Sequence, residues 1–428
     1  MKVIRLKHLL KGNFGGVWGD DLDCNENSYT YILRSTEQNE NGNWVINWES
    51  VARRNLLRVT NFHTLKKNDI VITKSSGSAG HIGKATLVDE NIEKLHCSFS
   101  NFMQCLQLDA GKCNPRFYWY YLNSRHCKEQ YKISCTTSTG LLNLNSDTFN
   151  NLNVPFFSVE YQNQCVAFLD KIISKIEDAI EKHKIQLDFL SSYRQSLITR
   201  AVTKGLDPNV EMKDSGVEWI GDIPKHWQIS TLGRIGTFKG GDAFPVNLQG
   251  RSDNEISFYK VANLGIHKES IYLKKSENTI AKEDAIALKA NIINPGSIVY
   301  AKIGAALLLN RRRIVNEPCC IDNNMTAFTL RTGNLLWAYY FLSTIDFGMY
   351  TCPATVPSLS EGRQSQIPIA IPPMNEQIEI GEYISSRLEK FQELYDSIIE
   401  MINNMKEYRS SLISAAVTGQ LAIEEAEE

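Results

Sequence analysis

YRQSLITRAVTKGL, residues 193–206, and YRSSLISAAVTGQL, residues 408–421, agree at nine of fourteen positions. They lie 215 residues apart, a period far longer than any solenoid repeat, so they point to duplication of a domain-sized unit. Upstream of the second copy, Ile384, Leu388, Phe391, Tyr395, Ile398, Ile402, Met405 and Leu412 follow alternating steps of four and three, omitting Arg409. That is a heptad seam. Upstream of the first, Leu169, Ile172, Ile176, Ala179, His183, Gln186, Leu190, Tyr193 and Leu197 keep the same step, and Ile173, Ile180 and Leu187 widen the stripe. A wide stripe has room for more than one neighbour, so the first helix is expected to touch a second protein as well as its partner helix. Pro155 and Pro372-Pro373 precede the two helices, Asn375 followed by Glu376 suggests an N-cap, and Gly205 and Gly419 stand at the expected C-terminal caps. Each helix should run about 40 residues, or ~60 Å.

The segments between the helices repeat more weakly. Leu6 aligns with Leu232, YILRST (31–36) with FYKVAN (258–263) shifted by one so that residues 33–34 meet 259–260, LKKNDIVITK (65–74) with INPGSIVYAK (293–302), and WYYL (119–122) with YYFL (339–342). Asn101 and Met103 align with Asn323 and Met325. The expected class is therefore α+β: two similar mixed α/β domains separated by two long antiparallel helices that form a coiled coil, with pseudo-two-fold symmetry. The boundaries expected are 1–153 for the first block, 154–206 for the central helix, 207–221 for a linker, 222–371 for the second block, 372–421 for the C-terminal helix and 422–428 for an acidic tail.

A net charge of −2 hides an uneven distribution. Residues 1–150 and 222–372 each carry +4, residues 151–221 carry −2 and residues 373–428 carry −8. The basic blocks suit a polyanion and the acidic helices suit protein or solvent. Duplex DNA has local two-fold axes, so a duplicated chain can set equivalent faces on two half-sites about one or more turns apart. Blocks that differ in sequence should read different halves.

At this point the chain resembles a known family. The block–helix–block–helix order, the repeated helix ending and the junction GLDPNVEMKDSGVEWIGDIPKHW (205–227) look like the specificity subunits of type I restriction–modification enzymes. The resemblance covers essentially the whole chain. It implies that the blocks are target recognition domains and the helices spacers. It also implies double-stranded DNA as ligand, two methyltransferase subunits as partners, and motor–endonuclease subunits joined through that core. Methylation and cleavage would belong to those partners, and no cofactor is implied for this chain.

Candidate DNA contacts follow. KSSGSAGHIGK (74–84) supplies Lys74, Ser75, Ser76, Ser78 and Lys84 on a Gly/Ser loop after a strand-like run; an ordinary polar hairpin would look the same. The equivalent loop after Lys302 is apolar and leads to Arg311, Arg312 and Arg313, where phosphate or guanine contact competes with a solvated charge cluster. Arg34 and Lys260 occupy matching positions, with Thr36, Glu37, Asn61 and Asn263 nearby as side chains able to pair with bases. Gly240, in Gly240-Gly241-Asp242, resembles a glycine turn of recognition domains. TTSTGLLNLN (136–145) and PATVPSLSEG (353–362) correspond to segments that line the recognition face in the family, with Thr137, Ser138, Thr139, Asn143, Thr355 and Ser358 as contacts. The run Phe117 to Tyr121 fits a core helix better than a stacking platform, because Trp337, Tyr339, Tyr340 and Phe341 repeat it. His183 on the seam suits helix specificity or a partner contact.

Catalytic signatures do not stand out. A flipped-adenine tetrapeptide, a Walker loop, HExxH and GxSxG are all missing from the sequence. Ten cysteines are scattered without a C-x-x-C pair, so free thiols are expected and zinc is not. No apolar run reaches a membrane span and no export signal is evident, which points to the cytoplasm. A coiled-coil scaffold that never touches DNA and an atypical DNA-modifying enzyme remain the alternatives.

Overall fold

Two helices, Val159–Lys204 and Met374–Val417, organise the chain. The computed structural model describes residues 2–21, 29–56, 59, 61–78, 80–138, 141–266, 270–351 and 356–423. It divides into two units, residues 1–183 with 400–428 and residues 184–399. Each unit therefore owns one globular block, one half of the first helix and the opposite half of the second.

In the first unit, Lys2–Arg5 pairs antiparallel with Asn153–Phe156, which closes the two ends of the block. Between them lies a four-stranded antiparallel sheet in the order Leu10–Gly15, Met103–Leu108, Ile70–Thr73, Ala85–Leu87. A second sheet sets Thr30–Leu33 between Ala52–Arg54, antiparallel, and Ser98–Phe99, parallel. The second unit repeats this plan. Gln228–Thr231 pairs with Pro368–Ile371, and the four-stranded order is Gly236–Gly240, Met325–Leu330, Ser297–Ala301, Arg312–Ile314. Ile256–Tyr259 lies antiparallel to Thr279–Ile280 and parallel to Cys319–Ile321. The weak alignments in the sequence thus fall on equivalent elements. Met103 and Met325 even close the same turn, their N–H groups donating to Ser100 O at 2.9 Å and Asp322 O at 2.8 Å.

The aromatic runs become helices Pro115–Asn123 and Leu335–Thr344, and all of Phe117 to Leu122 and Trp337 to Leu342 are buried. Burying one such ring is worth about 1.5–3 kcal/mol. Their polar ends also work: Tyr118 donates to Pro155 O at 2.8 Å and Tyr121 to Asn153 O at 2.6 Å, anchoring the strand that leads into the first long helix. Of the described cysteines, seven are buried and Cys135 is half-buried, all as free thiols. Burial pushes Cys97, Cys113, Cys127 and Cys165 up to about 12, so they stay protonated at neutral pH.

The long helices run antiparallel in both units. In the first, Tyr161 donates to Ala416 O at 3.0 Å while Glu177 pairs with Arg409. In the second, the rings of Tyr193 and Phe391 lie 5.4 Å apart, and Ile198, Ala201 and Val202 cluster with Ile380 and Ile384. On the second helix most of the seam is inside as the heptads predict: Ile384, Ile398, Ile402 and Leu412 are buried and Leu388, Phe391 and Met405 half-buried, but Tyr395 is 38% exposed. On the first, Leu169 is buried, whereas Ile172, Ile176, Leu190 and Leu197 are half-buried. The deeper positions in mid-helix are Ile180 and Leu187, residues of the widened stripe. Gly205 and Gly419 take φ of 76° and 71°, the left-handed conformation that ends a helix at little cost for glycine.

The helix starts differ from expectation. Ser158 caps the first, its hydroxyl accepting from Tyr161 N at 3.2 Å. The second begins at Met374, so Asn375 lies within the first turn and is not the cap; Pro373 O accepts from Gln377 N at 3.0 Å. The diproline sets the chain direction before the helix and supplies no N–H that needs a partner. Glu376, in the first turn, accepts from Trp227 Nε1 at 2.8 Å and faces His226 Nε2 at 2.6 Å.

One buried glutamine fastens each helix start to its block. Gln162 donates to Phe157 O at 2.9 Å and accepts from Asn114 N at 2.8 Å. Gln377 donates to Pro372 O at 2.8 Å and accepts from Asn334 N at 2.8 Å. Asn114 and Asn334 are the N-caps of the two aromatic helices. Gln162→Leu should leave a buried carbonyl and N–H unpaired and cost about 1–3 kcal/mol, read as a lower denaturation midpoint. Gln377→Leu should match it, and Gln195→Leu, at an exposed position of the first helix, should cost under about 0.5 kcal/mol.

Candidate nucleic-acid interface

One edge has the same construction in both units. The strand Leu10–Gly15 runs into Gly16, whose N–H donates to Met103 O, and Val17 N then bonds Phe99 O at 2.9 Å. Gly236–Gly240 runs into Gly241, whose N–H donates to Met325 O at 3.1 Å, and Asp242 N bonds Ile321 O at 2.9 Å. A side chain at Gly16 would fall on the carbonyl of Ser100, and one at Gly241 on that of Asp322. Glycine is therefore a steric requirement at both places. Ser100 N and Asp322 N in turn bond Leu33 O at 2.8 Å and Tyr259 O at 2.9 Å, which ties each glycine pair to the turn beginning at Arg34 or Lys260. The sequence reading names Gly240 but not Gly15-Gly16, although FGG at 14–16 and KGG at 239–241 carry the same signal.

A lysine lies over each glycine pair. A Cβ on Gly15 would sit 3.8 Å from Lys74 Nζ, and one on Gly240 2.9 Å from Lys302 Nζ. Lys74 donates to Gln104 Oε1 at 3.1 Å and has no acidic partner among the described residues. Burial lowers its pKa, so its charge is poorly solvated where it stands and gains from an incoming anion. Lys84 is also lowered, chiefly by burial, but its ammonium is already engaged with Gln38 O at 2.7 Å.

The segments before the helices join this edge. Leu144 N bonds Lys74 O at 2.8 Å and Leu359 N bonds Lys302 O at 2.9 Å, so Ser358 stands where Asn143 does. Ser75 hydrogen-bonds Asn143, Ser76 is half-buried beside Leu142, and Ser78 is exposed. Thr137 and Ser138 lie in a short strand paired with Leu141–Asn143, while their side chains, together with Thr139 and Thr355, lie outside the described residues.

The turns after the inner strands fold alike. Arg34 N bonds Glu37 Oε2 at 2.7 Å and Lys260 N bonds Asn263 Oδ1 at 2.7 Å. Glu37 corrects one expectation: it is buried, binds the Arg34 guanidinium at 2.8 Å and accepts from Thr36 at 2.9 Å, so it orients neighbours and is not presented to a base. Thr36 and Asn61 are exposed, and Lys260 reaches Gln249.

The three arginines separate. Arg311 is exposed and its guanidinium lies over Gly265, beside the Lys260 turn. Arg312 and Arg313 do not fit the surface role expected of them, being 2% and 8% exposed. They leave opposite faces of a strand that is covered on both sides. Arg312 stacks over Phe347 at 5.5 Å, and burial lowers its pKa to about 10. Arg313 reaches back to Arg312 O at 2.6 Å.

One described group has the composition of a metal site: His63, Asp69 and Cys105. The Asp69 carboxylate already accepts from Lys66 N at 2.9 Å and Gln107 at 3.3 Å and faces His63 Nε2 at 2.6 Å, with Phe14 stacked on the imidazole at 4.1 Å. These contacts account for the group as a hydrogen-bonded knot of the core. No described helix is long and apolar enough to cross a membrane.

Comparison with known proteins agrees with this architecture. The family model for the type I restriction modification DNA specificity domain matches twice, over residues 1–187 and 224–404. The type I restriction enzyme MjaVIII specificity subunit of Methanocaldococcus jannaschii is 23% identical over 394 residues, covering 86% of this chain and 82% of its own. The MjaIX specificity subunit of the same organism is 23% identical over 323 residues, 72% of this chain and 69% of its own. A chain in a solved structure on complex assembly and conformational transition of the type I R-M system superposes with a TM-score of 0.75 at 14% identity, over 98% of both chains. The HsdS subunit from Thermoanaerobacter tengcongensis gives 0.53 at 14% identity, over 98% of this chain and 97% of its own. Specificity subunits of this kind recognise the DNA target and leave catalysis to other subunits. With two matched domains spanning most of its length, the chain belongs to the type I restriction–modification DNA specificity family.

Proposed function

We propose that the first block, residues 1–153, and the second, residues 222–371, each read one half of a split, asymmetric DNA target. The segments 154–206 and 372–421, which contain the two long helices, set the distance between the halves, and residues 207–221 link the first helix to the second block. The observation that carries this reading is the shared edge: a glycine pair under a lysine, repeated in both units, with different side chains around it. Ser75 beside Asn143 in the first unit is answered by Ile303 bridged to Ser358 in the second. Lys74, Lys302 and Arg311 are suited to phosphate, where close backbone approach and positive charge matter. Arg34, Thr36, Ser75, Ser76, Ser78, Asn143, Lys260, Asn263 and Ser358 are suited to sequence-dependent contacts around them.

The helices would dock two methyltransferase subunits, which in turn bring the motor–endonuclease, in the cytoplasm. In the second unit, Ile185, Phe189 and Tyr193 recur every four residues on one helix face and are 60%, 73% and 53% exposed. An apolar row of that size is unusual on a free surface and supports protein contact there.

Three outcomes are expected. In a host without its own modification, the chain with its neighbouring methyltransferase should methylate adenines in both parts of a bipartite motif, and omission of the chain should abolish this; unchanged methylation would remove the specificity role. Lys302→Ala should weaken binding to all duplexes similarly and flatten the dependence of log affinity on log salt by about one. Phe189→Asp should reduce co-purification of the methyltransferase at least tenfold, with circular dichroism of the chain unchanged.

A further inference from the structure

The two blocks share a scaffold but differ sharply at one cross-strand pair. In the first, Tyr31 faces Arg53; the matching pair in the second is Ser257 and Thr279. Ser257 and Thr279 are both buried, whereas Arg53 is exposed. Directly opposed residues on neighbouring strands project from the same face, so Arg53 lies against aromatic rings. Its guanidinium carbon is 5.3 Å from the ring centre of Tyr29 and 5.9 Å from that of Tyr31. Tyr31 meets Trp48 edge-on at 5.7 Å, and Trp48 is half exposed. Arg53 has no ion pair among the described residues. Next to it, Arg54 stacks over the exposed ring of Trp18 at 4.4 Å and pairs with Asp21.

The patch is continuous with the candidate interface. Trp18 follows Gly16 by two residues. Arg34 Nη2 donates to Ser50 O at 2.8 Å, which ties the Arg34 turn to the loop that carries Trp48. A guanidinium held on rings keeps a fixed plane, with its edge donors free to face outward. That suits a planar acceptor with two oxygens or nitrogens side by side. The surrounding rings favour bases, with their flat faces and thymine methyls, over a row of phosphates.

We propose that Arg53 is a specificity-determining residue that reads a guanine edge in the half-target bound by the first block, with Tyr29, Tyr31 and Trp48 holding its plane. This rests on the DNA-reading role argued above for that block. Because the second block has serine and threonine at these positions, the contact would belong to one half-target only.

The test compares methylation motifs directed by the wild-type chain, Arg53→Lys and Arg53→Ala, each with the neighbouring methyltransferase. Both variants are expected to lose roughly tenfold or more discrimination at one guanine of one half-target, with the other half-target read as before. Lysine keeps the charge and loses the paired donors, so Arg53→Lys should retain the wild-type salt dependence in duplex binding. Tyr31→Leu should relax the same position. If Arg53→Lys keeps full discrimination while Arg53→Ala only weakens binding to all sequences, the residue is a phosphate contact and the proposal falls. Unchanged motifs in both variants would also overturn it. An intact second half-target excludes misfolding as the cause, and a wild-type chain that directs no bipartite motif would instead defeat the reading of the block itself.

Discussion

Everything that this chain positions depends on how a long helix leaves a small mixed domain in a defined direction. Gln162 and Gln377 hold that direction. Each amide grips the carbonyl just before its helix and the backbone N–H of the aromatic helix cap. Both are buried, so neither bond has water to compete with it. The blocks are closed at the same place by the strand pairs Lys2–Arg5 with Asn153–Phe156 and Gln228–Thr231 with Pro368–Ile371. These bonds stiffen the root of each helix against swivelling.

On that frame the two blocks diverge where divergence is cheap. Gly16 and Gly241 press against backbone carbonyls and leave no room for a side chain. The side chains around them differ between the two blocks. Tyr31 opposite Arg53 in one block and Ser257 opposite Thr279 in the other show how far one site can change while strand pairing stays the same. Backbone hydrogen bonds carry the sheet, so side chains at its rim are available for recognition.

Much of this was legible in the chain itself. The helix repeat, the glycine caps and the aromatic core helices rest on local periodicity and sterics, which neighbouring residues alone decide. The correspondence of Arg34 with Lys260 came from alignment and is matched by the same turn in both units. The glutamines were passed over because a polar residue in a helix pattern looks solvent-facing until the partner segments, some 45 residues away in sequence, are brought beside it.

Sequence alone thus determined the class, the duplication and the two long helices, because apolar spacing and capping are properties of contiguous residues. Only the tertiary structure decided which charges reach the surface. Glu37 turned inward to hold Arg34, Arg312 and Arg313 went under cover, and Arg311 and Arg53 stayed outside. Whether a charged side chain is exposed depends on what packs over both faces of its strand, and those covering residues come from distant parts of the chain.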